Sequence, residues 1–257
     1  MNCHLSRKPA RLVFIALTVG LGACASQQRI QDDPDPLEPA NRQLFNLNEA
    51  VDAAILKPAA QGYVKITPQP VRAGVTNFFE NATYMNVIMN SFLQAEFGSG
   101  FSDLGRLVVN STLGVAGLFD VATGMGMPVR EKDTGQTLGK WGFGAGAYLF
   151  LPGRGSYTIR DISNLATNTL LFPFTYTRSA VLIPVIVLMV LNARANSLTA
   201  SALRDVAALD SYTFTREAYF EKRRALIRDG DEEALREFDE TFSDDVWMDE
   251  CEQDDGC

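Results

Sequence analysis

The stretch Asn41-Arg42-Gln43-Leu44-Phe45-Asn46-Leu47-Asn48-Glu49-Ala50-Val51-Asp52-Ala53-Ala54-Ile55-Leu56 decides the fold class. Leu44, Leu47, Val51, Ile55 and Leu56 recur at helical spacing, so residues 41–56 are predicted as an amphipathic helix that Pro58 breaks or kinks. The same period continues downstream. Pro68-Gln69-Pro70 suits the first turn of a second helix, with Val71, Val75, Phe78 and Phe79 on its apolar side. Helical segments are expected over 85–93 and 101–113, a short one over 115–123, and another over 211–227. No runs of alternating β-branched residues bounded by turns occur in this half of the chain, so the protein is expected to be all-α. Glycines crowd the centre, from Gly135 to Gly155, interleaved with Trp141, Phe143, Tyr148 and Phe150. That mixture predicts tight turns and close backbone packing. Gly142-Phe143-Gly144-Ala145-Gly146-Ala147 matches a dinucleotide fingerprint in letters only, because no strand precedes it and no βαβ period surrounds it. Ser156 is expected to cap a further helix that Pro173 ends.

The most apolar stretch after the N-terminus is Ala180-Val181-Leu182-Ile183-Pro184-Val185-Ile186-Val187-Leu188-Met189-Val190-Leu191. At twelve residues it is short for a bilayer span, and it is apolar all round, unlike a surface helix. Taken alone it is a core helix or a segment that enters lipid part-way.

The N-terminus tips that balance. Arg7, Lys8 and Arg11 precede a brief apolar core, and Leu21-Gly22-Ala23-Cys24 closes it. Residues 1–23 are therefore expected to be a signal peptide. A cysteine at the cut resembles a bacterial lipobox, with Cys24 as the lipidation site; two or three acyl chains anchor stably where one does not. Ala23-Cys24-Ala25 also fits an ordinary secretory cut that would release a soluble protein. Ala25 and Ser26, with no Asp beside the cysteine, resemble lipoproteins sent on to the outer membrane. Beside such an anchor, the lipid-entering alternative is preferred for Val181, Leu182, Ile183, Val185, Ile186, Val187 and Leu188.

Composition removes several functions. The chain of 257 residues carries 23 Lys and Arg against 31 Asp and Glu, and the leader takes away three basic residues and no acids. This acidic balance argues against nucleic acid as a partner. The single histidine is His4, in the leader, so no Ser-His-Asp, Cys-His or histidine–zinc chemistry is available afterwards. No G-x-S-x-G elbow, cofactor motif or metal-ligand spacing is found, and no enzyme is expected. Asp120, Asp133 and Asp161 are read as helix caps and ion-pair partners, and Arg106 and Arg160 as partners of acids inside the bundle, with a head-group contact as the alternative. Arg216, Lys222, Arg223, Arg224 and Arg228 could meet head groups, though a solvated face is their usual fate. Cys251 and Cys257 could close a small disulfide loop in an oxidising compartment. The organisation expected is a leader over 1–23, a polar tether over 24–36, a helical domain over 37–228 and an acidic tail over 229–257.

A set of strings then resembles the MlaA/VacJ outer-membrane lipoproteins. They include Asp35-Pro36-Leu37-Glu38-Pro39-Ala40-Asn41-Arg42, Asn77-Phe78-Phe79-Glu80-Asn81, Asn110-Ser111-Thr112-Leu113-Gly114, Gly117-Leu118-Phe119-Asp120-Val121-Ala122 and Gly135-Gln136-Thr137-Leu138-Gly139. Tyr148-Leu149-Phe150-Leu151-Pro152, Ser156-Tyr157-Thr158-Ile159-Arg160-Asp161 and Arg216-Glu217-Ala218-Tyr219-Phe220 follow in the family's order. The resemblance implies a ring-like, multi-helix domain embedded in the inner leaflet of the outer membrane, around an amphipathic channel. It implies removal of misplaced phospholipid from the outer leaflet, beside a trimeric outer-membrane porin, with delivery to a soluble periplasmic lipid carrier. It also puts the first helix beside the channel, making Asn41, Arg42, Phe45, Asn46 and Asn48 channel or gate candidates; hydrogen bonds to neighbouring helices are the alternative for the four polar ones. A structural lipoprotein that scaffolds the envelope is the alternative. The tail after Arg228 has no counterpart in the family.

Overall fold

A computed structural model of the protein describes residues 35–228. The leader, Cys24, Cys251 and Cys257 lie outside the described residues. The architecture is helical, as the periodicity predicts, with one short hairpin in the glycine-rich centre. Asp35, expected in the tether, is already buried at 2% exposure, so the fold begins before Leu37.

Helix α1 (Glu38–Val51) runs through a π-helical turn (Asp52–Leu56) into α2 (Lys57–Ile66). Pro58 therefore does not end the rod. A proline lacks an N–H and crowds the carbonyl four residues back. The wider turn just before it, in which the Lys57 N–H reaches the Asp52 carbonyl, absorbs the misfit. Helix α3 (Gln69–Leu93) is one continuous element where the sequence suggested two, and it packs antiparallel on α4 (Phe97–Thr112). The stretch after α4 is not helical. Val115, Ala116 and Gly117 take left-handed φ values of 53°, 58° and 89° in succession, ahead of the single turn α5 (Val121–Gly124). Gly117 is required there: a Cβ would sit 2.5 Å from the Cβ of Asn81.

Helix α6 (Thr134–Lys140) opens on a capping box made by Asp133 and Gln136. Strands β1 (Tyr148–Leu151) and β2 (Gly155–Thr158) pair antiparallel, with Leu151 opposite Gly155. Ser156 thus lies in a strand and caps no helix. The next helix, α7 (Ile162–Leu171), starts later, and Pro173 does terminate it. The apolar run belongs to α8 (Ser179–Asn196), eighteen residues with Pro184 inside. Helices α9 (Leu198–Ala207) and α10 (Ser211–Arg228) complete the described chain.

The densest apolar packing is aromatic. Phe45 of α1 meets Phe150 of β1 and Tyr212 of α10 edge-on, at centroid distances of 5.2 and 5.6 Å, and Tyr148 adds contacts to Tyr219 and Phe220. This cluster joins the rod, the hairpin and the C-terminal helix. Much of the remaining interior is polar, and many large apolar side chains lie on the surface.

Candidate functional site: an amphipathic cavity

A cavity of about 560 Å³ opens between α3, α7, α8 and the extended segment 129–133. It falls in the range of about 300–1,000 Å³ usual for ligand pockets. Its two sides differ chemically. Asn77, Glu80, Asn81, Tyr84 and Val87 recur along one face of α3 at steps of three and four residues, so the helix offers a mainly polar wall. Asn164 and Asn168 extend that wall from α7. Leu182, Ile186 and Met189 of α8 supply the apolar wall at the same spacing.

The polar wall is held by a satisfied network. Asp103, 1% exposed, accepts from the Tyr84 hydroxyl at 3.2 Å, Ser91 Oγ at 2.7 Å and Arg130 Nη1 at 3.0 Å. Burial and the Asp103 charge push the Tyr84 phenol up to about 12. Asn86 donates to Asn164 Oδ1 at 2.9 Å, and Asn90 is locked between Asn86 and Thr137. Arg106 bridges Asp120 at 2.5 Å and the Met127 carbonyl at 2.7 Å, fixing the segment after α5. Burial opposes ionisation of Asp120, yet Thr123, Asn110 and Arg106 outweigh it and hold that carboxyl below the usual range.

A second cluster braces the cavity from below. Arg223 of α10 reaches Asp133 at 2.5 and 3.0 Å and Asp161 at 2.6 Å, and the Tyr219 hydroxyl donates to Asp161. The Asp161 carboxyl is buried, which alone would raise its pKa; Arg223, Tyr219 and Arg160 reverse that and lower it. Gly135 makes the approach possible, since a Cβ there would lie 2.2 Å from Asp161 Oδ1. Asp120, Asp133, Asp161, Arg106 and Arg160 are caps and ion-pair partners, as the sequence suggests. The basic residues of α10 divide: Arg224 and Arg228 are exposed, as expected of a solvated face, and the others are held by protein partners. Arg216 pairs with Asp35 and Glu38, Lys222 with Glu131, and Arg223 is buried.

The five candidates on α1 lie together but away from this cavity. Asn41, 2% exposed, donates to Asp35 and the Tyr148 carbonyl and accepts from the Phe150 N–H, fastening the rod to the hairpin edge. Arg42 bonds Glu38 and Asp210 at 2.7 Å each and stacks over Tyr212. Phe45 fills the aromatic cluster, and Asn48 accepts from the Gly153 N–H at 2.8 Å. Asn46 is exposed. The candidates on α8 divide by face. Leu182 and Ile186 line the cavity, while Val181, Ile183, Val187 and Leu188 are exposed, with Val187 at 58%; Val185 is half-buried. The helix is long and apolar enough to cross a membrane, and little of it is buried. Its last turns are protein-bound: Asn192 meets Tyr63 and Thr76, and Arg194 clasps Asp52 of the π-turn at 2.6 and 2.7 Å.

Missing from the sequence expectations are the cavity residues of α3 and α7. A signal was present in part: Asn77 and Asn81, four residues apart, share the cavity-facing side of α3 with Glu80 and Tyr84, whereas Asn90 points into buried contacts with Asn86 and Thr137.

Comparison with known proteins converges on one family. A family model described as MlaA lipoprotein matches residues 33–226. The intermembrane phospholipid transport system lipoprotein MlaA of Escherichia coli (strain K12) is 32% identical over 228 residues, covering 86% of this chain and 90% of that protein. Its counterpart of the same description in Haemophilus influenzae is 26% identical and covers 91% of this chain. A solved structure, described as the structural basis for maintenance of bacterial outer membrane lipid asymmetry, superposes with a TM-score of 0.66 at 34% identity. It covers 76% of this chain and 99% of its own.

Proposed function

The chain belongs to the MlaA lipoprotein family, and from that premise we propose that it is an outer-membrane lipoprotein that passes phospholipid out of the outer leaflet. Cys24 carries the acyl anchor, and the helices ring a channel in the inner leaflet beside a trimeric porin. Lipid leaves on the periplasmic side to a soluble carrier. The observation that carries this reading is the two-sided cavity behind an exposed apolar helix. A phospholipid needs an apolar path for its chains and hydrogen-bonding groups for its head, because burying an unpaired polar or charged group costs several kcal/mol. Leu182, Ile186 and Met189 offer the first, and the asparagines of α3 and α7 the second. The outward face of the same helix suits acyl chains. Eighteen residues span about 27 Å at 1.5 Å each, and the protein-bound C-terminal turns shorten the free part. Such a helix enters one leaflet more readily than it crosses a core of about 30 Å.

The test is the lipid composition of the cell surface. Cells that lack this protein are expected to accumulate outer-leaflet phospholipid, measured by surface labelling, and to recover when the gene is restored. Unchanged outer-leaflet phospholipid, with loss of other envelope proteins from the membrane, would instead identify a scaffold.

A further inference from the structure

The charges lining the cavity cancel in pairs, with two exceptions. Arg106 is joined to Asp120, Arg130 to Asp103 and Lys132 to Glu96. On the acidic side, Glu131 is joined to Lys222 and Asp133 to Arg223. Glu80 and Arg154 also line the cavity, and among the described residues neither holds an ion pair. Arg154 is exposed, and its guanidinium opposes the upward push that burial gives the Tyr157 phenol. Glu80 sits on the polar face of α3 between Asn77 and Asn81, and among the described residues no side chain donates to its carboxylate. One uncompensated anion and one uncompensated cation thus face a shared space whose opposite wall is apolar.

We propose that Glu80 and Arg154 form a headgroup site selective for a zwitterionic phospholipid bearing a primary ammonium. Arg154 takes the phosphate and Glu80 the ammonium. The inference rests on the transport reading above and adds the lipid class to it. A guanidinium matches phosphate oxygens in a planar fork. A carboxylate accepts charge-assisted hydrogen bonds from a primary ammonium, which a quaternary ammonium cannot donate. An anionic headgroup would bring a second negative charge, or an uncharged glycerol, to Glu80. Enclosure, then Asp120 and Glu131, push the Glu80 carboxyl upward more than Arg106 lowers it, so a cation arriving beside it relieves an unfavourable charge.

The full-length lipidated protein, in mild detergent, is equilibrated with vesicles holding equal parts phosphatidylethanolamine, phosphatidylglycerol and phosphatidylcholine, then repurified and its bound lipid identified by mass spectrometry. The wild type is expected to favour phosphatidylethanolamine over each competitor by about tenfold, the ratio that 1.4 kcal/mol supplies. Glu80→Gln should bring the bound lipid to vesicle proportions, Glu80→Asp should restore the preference, and Arg154→Gln should lower loading of all three classes. Wild-type loading in vesicle proportions, or an unchanged preference in the folded Glu80→Gln protein, overturns the headgroup site while leaving the channel reading intact. A wild type that binds none of the three overturns both.

Discussion

Replacing Arg223 with Met should destabilise the fold in a pH-dependent way. Arg223 is 9% exposed and binds two carboxylates, of which Asp161 is itself 3% exposed. Removing one partner of a buried pair costs about 3–5 kcal/mol, because the remaining charge stays desolvated. The Arg223 Nε is buried without a hydrogen-bond partner, which places the loss at the lower end, about 3 kcal/mol. For a domain of this size that lowers Tm by roughly 6–12 °C. The sign of the pH effect follows from Asp161. Its carboxyl is held below the unfolded value, so its contribution is present above about pH 4 and is lost as pH falls through the folded pKa. Without Arg223, the largest influence that lowers it is gone, and that folded pKa rises although Tyr219 and Arg160 remain. The variant then takes up a proton on Asp161 earlier in acid and sheds its buried charge. The deficit should therefore be large near pH 7 and smaller near pH 4. Thermal unfolding in mild detergent, followed by circular dichroism at both values, measures it. Arg224→Met is the control, since Arg224 is exposed and pairs only with Glu221 one turn away; about 0.5 kcal/mol or less is expected. Equal deficits at the two pH values, or one no larger than the control's, would refute the reasoning.

Val187→Asp places a charge on the exposed face of α8 and should cost about 2.5–3.5 kcal/mol if that face lies at hydrocarbon depth; weaker membrane partition with retained helicity is expected, and unchanged partition would place this face in water. Deleting Phe45 and Asn46 shifts the rod by about 3 Å and 200°, so that Asn41 and the Asn48, Glu49 and Asp52 contacts cannot all be kept. We expect a folded outer body with a leaky passage, read as outer-leaflet phospholipid above the level of cells lacking the protein; a level equal to that of those cells or to wild type would reduce this segment to packing. Val115→Gly relieves a β-branched residue at positive φ and should raise Tm by the equivalent of about 1 kcal/mol; a lower Tm would count against the left-handed turn. Cys24→Ala should abolish acylation, and an unaltered mass and membrane fraction would sink the lipoprotein assignment.

What the sequence revealed and what it hid separate along physical lines. The helices were legible wherever one face is apolar at period 3.6, as in α1, α4 and α10. Boundaries failed where a local residue was overruled by its neighbours. Pro58 looks like a stop, but the π-turn before it lets the rod continue. Ser156 looks like an N-cap, but Tyr148 and Phe150 are drawn into the aromatic cluster, and the four-residue strand opposite β1 claims it. A hairpin this short carries too few alternating residues to be seen among glycines. The roles of Asp120, Asp133 and Asp161 were legible because capping is local. Their convergence was not: Arg223 joins Asp133 to Asp161 only because Gly135 admits the contact, and nothing in spacing reports it. The α1 candidates came from resemblance, and the structure gives four of them fastening contacts outside the cavity.

The choice of amides for the polar wall carries its own consequence. A passage must hold its cargo firmly enough to admit it and weakly enough to release it, a constraint shared with conducting pores. Asparagine both donates and accepts, so a row of asparagines can exchange hydrogen bonds with a moving headgroup while adding no net charge to hold it. The charges around that row would trap a phosphate or an ammonium if they were free, and all but two are tied to protein partners. Arg106 is spent on Asp120 and Lys132 on Glu96, so they shape the wall without presenting charge to the lumen. On the proposed channel reading, selectivity then resides at one place, Glu80 with Arg154, and mobility everywhere else. On the other side α8 requires no such balance, because Leu182, Ile186 and Met189 hold chains only by burial, which is indifferent to position along the helix. Charging a second wall position, for example Asn81→Asp beside Glu80, should thus increase lipid retained per protein and slow its release.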